Sequence, residues 1–281
     1  MKFVQKIFTT FLVLGILGVM GSFVLYFAIR HSIPYTKDAV NGEPADSFAR
    51  MVQDNVKSKS WTYIGAIKWS VFNRDYLWDL QRGLVRLKWE KGRALFDVKR
   101  QREVIYVDKK KVEGPQAQML LDEAYATWQR DLFILDPTHT FFNQGVVRYL
   151  IHPGEKNESL FITYTKQGQT LDSFQWFVDQ NGRPTHAIMW SKDFFLQGIE
   201  VQFDDWVNIT EGLSISTRRH VGPLTIEISN VRSGLSLEEI VGHNDPFKDI
   251  VPDPFEPPPT SQPNQAFFPE KSLEELSKDQ L

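Results

Sequence analysis

The first pattern along the chain is an unbroken apolar one. From Ile7 to Ile29 the sequence reads IFTTFLVLGILGVMGSFVLYFAI, with no Lys, Arg, His, Asp or Glu. As a helix this run reaches roughly 35 Å, enough to cross a hydrocarbon layer of about 30 Å with some tilt. It predicts a single transmembrane anchor. A cleaved signal peptide is the rival reading, because Lys2 and Lys6 precede the run as a basic n-region does. Against it, the run is about twice the usual h-region length, and Tyr26 to Arg30 lacks the pair of small residues a peptidase prefers. Lys2, Lys6 and the terminal amine, set against Arg30 and Lys37, bias the N-terminus toward the cytoplasm. The expected order is a cytoplasmic segment 1–6, an anchor 7–29 and a polar stalk 30–44. The remainder of the chain is expected in the periplasm, tethered to a bacterial inner membrane.

After the stalk the period becomes helical. Phe48, Met51, Val52 and Val56 predict a helix over Ala45 to Lys59, with Asp46 as its N-cap. From Trp61 the period falls to two. Trp61, Tyr63, Ile67, Trp69 and Val71 alternate with polar residues, and so do Val85, Leu87, Trp89 and then Ala94, Phe96, Val98. Glu103 to Val107 is a further strand, turning through Asp108 and three lysines. Pro115 to Asp136 then reads as a second helix, begun by a proline in its first turn and stopped by Asp136-Pro137. Strands resume at Val146–Ile151, Leu160–Thr165, Phe174–Val178, Thr185–Trp190, Gly198–Phe203, Leu213–His220 and Leu224–Ser229. Asn181-Gly182 supplies a hairpin turn between two of them. Short strands at this spacing predict an antiparallel sheet of about eleven strands with two main helices, a mainly β fold over 45–234. Seven prolines between Pro252 and Pro269 mark a tail over 235–281, in which Ser272 and Glu275 fit the capping box of a short terminal helix.

Composition narrows the chemistry. The formal charge is −3 and the part beyond the anchor is more acidic still, which argues against nucleic acid as a partner. There is no cysteine, so the chain carries neither a disulfide nor a lipid-modified cysteine. The six histidines are far apart, without metal-site spacing, and no phosphate loop or nucleophile elbow is present. We therefore expect no cofactor, no metal and no catalysis. Asp204-Asp205 reads either as an acidic ligand pair or as turn chemistry, the latter being the commoner use.

Eight tryptophans are the unusual feature. Those on strands either fill a core or face an apolar cavity, and the candidate lining is Trp69, Trp89, Trp176, Trp190, Leu87 and Ile162. Four segments bear on this choice: Tyr76-Leu77-Trp78-Asp79-Leu80-Gln81-Arg82-Gly83, Ala126-Thr127-Trp128-Gln129-Arg130-Asp131-Leu132-Phe133, Phe174-Gln175-Trp176-Phe177-Val178-Asp179 with Gly182-Arg183-Pro184, and Ser216-Thr217-Arg218-Arg219-His220. Over about 45–234 the chain resembles a bacterial branch of the LolA-type lipoprotein carriers. The resemblance implies a strongly curved antiparallel half-barrel, with helices in its concave face, that receives acyl chains. The anchor and the Pro-rich tail depart from the soluble carriers, so no family binding residue is carried over. Two functions are expected first, binding a lipid or lipoprotein beside the membrane without chemistry, or holding an envelope protein through a sheet edge or the tail; an uncharacterised enzyme is the third reading, since fold does not fix function.

Overall fold

The computed structural model describes residues 31–34, 39–166, 169–191, 197–222 and 224–251. The expected anchor and the prolines from 252 onward lie outside the described residues. No helix among the described residues is long and apolar enough to cross a membrane.

The fold is mainly β, two antiparallel sheets of seven strands each, neither closed into a barrel. Helix α1 (Glu43–Asn55) starts two residues earlier than its pattern implied, capped by Gly42 with Pro44 in the first turn. Asp46 does not cap it. Its carboxylate instead takes a 2.6 Å hydrogen bond from Arg148 on the second sheet, while still placing negative charge near the positive helix end. A 3-10 turn (Ser58–Tyr63) leads into six strands joined as hairpins: β1 (Ala66–Val71), β2 (Arg74–Asp79), β3 (Leu84–Trp89), β4 (Gly92–Asp97), β5 (Glu103–Val107) and β6 (Lys110–Val112). Helix α2 (Pro115–Leu135) and a second 3-10 turn (Pro137–Phe142) carry the chain to the other sheet. That sheet runs β7 (Val146–Ile151), β8 (Ser159–Lys166), β9 (Gln169–Val178), β10 (Pro184–Ser191), β11 (Ile199–Asn208), β12 (Ser214–Val221) and β13 (Leu224–Glu227). A single residue, Ile228, separates β13 from β14 (Ser229–Gly234), which crosses back to pair with β1 at the edge of the first sheet.

The eleven-stranded half-barrel expected from the sequence is thus replaced by fourteen strands in two sheets. Three of the strands leave little trace in the sequence, for physical reasons. In β2, Tyr76 to Asp79 are buried on both faces, so no polar alternation marks it. Both β6 and β14 are polar edge strands, and β6 has only three residues. The strand expected from Trp61 begins only at Ala66, because tertiary bonds hold the residues before it in a tight turn. Ser60 donates to the Glu211 carbonyl at 3.0 Å and Trp61 to Asp136 at 2.7 Å.

Each sheet is covered by a helix on its inner face. Helix α2 lays Leu121, Ala124, Tyr125, Trp128 and Leu132 on the first sheet, among Trp69, Trp78, Leu87 and Phe96. On the second sheet, Ala45, Phe48, Ala49 and Val52 of α1 meet Leu160, Ile162, Phe174 and Trp176. The fold also runs on past Gly234. A five-residue helix α3 (Leu237–Val241) and the segment to Val251 place Ile240, Phe247 and Ile250 over Leu77, Leu84 and Leu95, on the outer face of the first sheet. Residues 235–251, grouped by composition with the tail, are therefore part of the packed domain. Parts of the stalk are engaged too: Val40 bridges Leu150, and His31 donates to the Gly198 carbonyl at 2.7 Å.

Candidate functional site

The six residues expected to line one cavity fall in different places. Trp69 stacks on Tyr76 with centroids 4.7 Å apart and shares the first core with Leu87, while Trp89 sits at the rim of that core. Ile162 and Trp176 belong to the second core, where Trp176 stacks on Phe203 at 5.3 Å and meets Phe141 edge-on at 5.1 Å. Trp190 points to the opposite face of the second sheet, against Phe161 and Ile188, and its indole N–H donates to the His31 carbonyl at 3.0 Å. The alternation read in the strands is present, but two sheets and both faces of one divide the set. All but Trp89 are closely covered by neighbouring side chains.

Where the two cores meet there is a buried polar junction. The Asp136 carboxylate accepts from the Trp61 indole at 2.7 Å, from the Thr138 hydroxyl at 2.6 Å and from the Thr138 N–H at 3.0 Å. Arg219 of β12 donates to the Leu135 carbonyl at 3.1 Å and lies over the Phe203 ring. Burial pushes the Arg219 guanidinium down to about 10 against the opposing pull of Asp136. His139 lies against Trp61, and burial pushes it down to about 4 despite the same carboxylate. A void of about 10 Å³ opens here, between Asp136, Trp176, Phe203, Ser214 and Arg219. It is the size of one water, and the unpartnered Ser214 hydroxyl and Arg219 Nε are groups a water would satisfy. Ser58 stands 3.5 Å from His139 but is itself buried, so this Ser, His and Asp lack both the short contact and the substrate access of a nucleophilic triad.

A second buried charge joins α2 to the first sheet. Asp131 is wholly buried and accepts from the Tyr76 hydroxyl at 2.5 Å and from Arg74 at 2.7 and 2.8 Å. This arrangement fixes a helix to a strand. Asp204 and Asp205 lie within β11 rather than in a turn, and Asp205 adopts a φ of 50°. They face His220 and Arg218 of β12 across the sheet, at 3.6 and 2.7 Å. No group of three His, Asp or Glu able to hold a metal occurs among the described residues.

The surface offers more. Strand β13 ends the second sheet with Leu224 exposed, whereas the opposite end of the first sheet, β6, carries Lys110 and Lys111. The tips of the β3–β4 and β5–β6 hairpins form a groove of about 830 Å³ lined by Lys88, Lys91, Arg93, Lys109, Trp89 and Tyr106, with Glu90 and Asp108 as its acids. The periodicity places Arg86 and Lys88 on the polar parity of β3 and says no more of them. The signal it leaves unread is three cations, Arg86, Lys88 and Arg93, on neighbouring positions of one hairpin.

Comparison with known proteins adds little to this geometry. No protein-family model matches the sequence, and no curated protein is significantly similar to it. A structural match is found to a chain in the crystal structure of MucB in complex with MucA(peri), at 12% identity and a TM-score of 0.20. It covers 72% of this chain and 60% of the other. A likeness of that size carries no argument about this protein.

Proposed function

We propose that the chain is a single-pass protein of a bacterial inner membrane whose periplasmic domain holds an envelope protein through an open sheet edge, without chemistry. One observation carries the choice of surface over interior. The residues expected to enclose an acyl chain are packed against one another in three clusters, and the void between the two main cores holds about one water. A lipid-sized ligand needs roughly 300 Å³ or more. On the outside, β13 ends its sheet with backbone groups facing away from β12 and with Leu224 exposed, the arrangement an extended peptide joins by strand addition. Edges not meant for pairing are commonly blunted by lysines, as β6 is. The anchor and its orientation rest on residues 7–29 and the lysines before them.

The test uses the full chain. A photo-cross-linking residue at Leu224 should give a discrete protein adduct in cells that one at the exposed Glu155 does not. In detergent, a long-chain fatty acid should leave tryptophan emission unchanged. A saturable emission change, together with lipid retained at one per chain in native mass spectrometry, would overturn the reading in favour of a lipid carrier.

A further inference from the structure

We propose that Arg86 and Lys88, with Arg93 beside them, form a binding site for a phosphate-type oxyanion on the outer face of the first sheet. Arg86 and Lys88 are two apart on β3 and so project to the same outer face that Phe247 and Ile250 partly cover. Lys88 stands directly opposite Arg93 of β4, and Arg86 lies between Leu77 and Leu95. Directly opposed like charges in a sheet repel, so an arrangement that keeps them calls for a counter-charge.

The protein does not supply enough of it. Asp249 is taken by Arg93 at 2.8 Å and by the Tyr106 hydroxyl at 3.0 Å. Asp75, opposite Lys88 on β2, accepts from the Ser70 hydroxyl at 2.5 Å and makes no ion pair within 4 Å among the described residues. Neither Arg86 nor Lys88 has an ion-pair partner among the described residues, and the Arg86 Nε is sealed from solvent with no hydrogen-bond partner. Lys68 and Arg232 continue the same row, adding positive charge and no acid. Both Arg86 and Lys88 have their pKa values lowered, Arg86 by burial first and Lys88 by the charge of Arg86 first, and the opposing attraction of Asp75 does not offset these.

The chemistry of the missing partner follows from the donors. A guanidinium presents a planar fork that fits two oxygens of one phosphate, and an ammonium adds a point charge beside it. The site goes beyond the sheet-edge reading above and stands whether or not a protein occupies β13. Either free phosphate or the headgroup of an anionic lipid carries the required group.

The experiment compares sodium phosphate with sodium chloride at equal ionic strength, using the full chain in neutral detergent. Phosphate at roughly ten times its Kd should raise the unfolding midpoint by about 3 °C. The rise should vanish in Arg86→Gln and Lys88→Gln and persist in Lys156→Gln, a distant exposed lysine. Because each variant removes a charge from a repelling cluster, neither should unfold earlier than the parent in chloride. In phosphatidylglycerol nanodiscs the phosphate-dependent rise should disappear if the headgroup is the natural occupant, and should remain if free phosphate is. No rise beyond chloride in detergent, or an equal rise in Arg86→Gln and Lys88→Gln, would overturn the site.

Discussion

Trp176 has Phe203 stacked on one side and Phe141 edge-on to it, and its ring is almost wholly covered. Close packing of this kind makes truncation expensive, so Trp176→Ala should cost about 3–5 kcal/mol, measured by urea unfolding. A cavity-lining tryptophan would cost much less. His139 provides a test of the polar junction. Its folded pKa lies near 4, below the ordinary 6.5, so the unfolded chain binds more protons between those values. Stability contributed by the neutral ring is complete above pH 6.5 and lost as the pH falls toward 4. His139→Gln should therefore flatten the pH dependence of the unfolding midpoint in that window relative to the parent. Which residues are buried was legible from alternation at Trp69, Leu87 and Ile162. What covers them was not, because periodicity reports a face and not the element that packs upon it.

Helix α2 was readable nearly to the residue, since Pro115 and Asp136-Pro137 act locally at its two ends. Strand β2 was not, because a strand buried on both faces has no polar parity to announce it. The segment after α3 was hidden for a third reason: Phe247 and Ile250 stand among polar and charged residues, and only the sheet they cover explains them. Phe247 is fully buried, beneath the Arg82 guanidinium that pairs with Asp245 at 2.7 Å. Phe247→Ala should cost about 3–5 kcal/mol. Deleting Asp253 to Leu281 should move the thermal midpoint little, because its proline-rich composition offers scant apolar surface for burial. Scanning calorimetry on the two variants distinguishes a structural segment from an appendage. A drop of several degrees on deletion would show that the tail packs on the domain.

For the molecule as a whole, a mainly β class with few helices was visible in the sequence, and the division into two sheets was not. Sheet membership depends on strand partners far apart along the chain, and a single-residue link such as Ile228 leaves no compositional mark. The apolar run at 7–29 makes its own prediction: the protein should remain with membranes after alkaline carbonate washing. Release with a new N-terminus near residue 30 would establish a cleaved signal peptide instead.

The return of β14 to β1 bears on how such a chain is made. Ala66 pairs with Gly234, so the first sheet lacks an edge strand until nearly all of the domain has left the ribosome or the export channel. Pairings of such long sequence separation form late, since loop closure must precede the contacts that reward it. A chain of this topology emerges without its finished sheet and completes it only after the last strand arrives. That order would keep the polypeptide threadable during the export that the proposed periplasmic location requires.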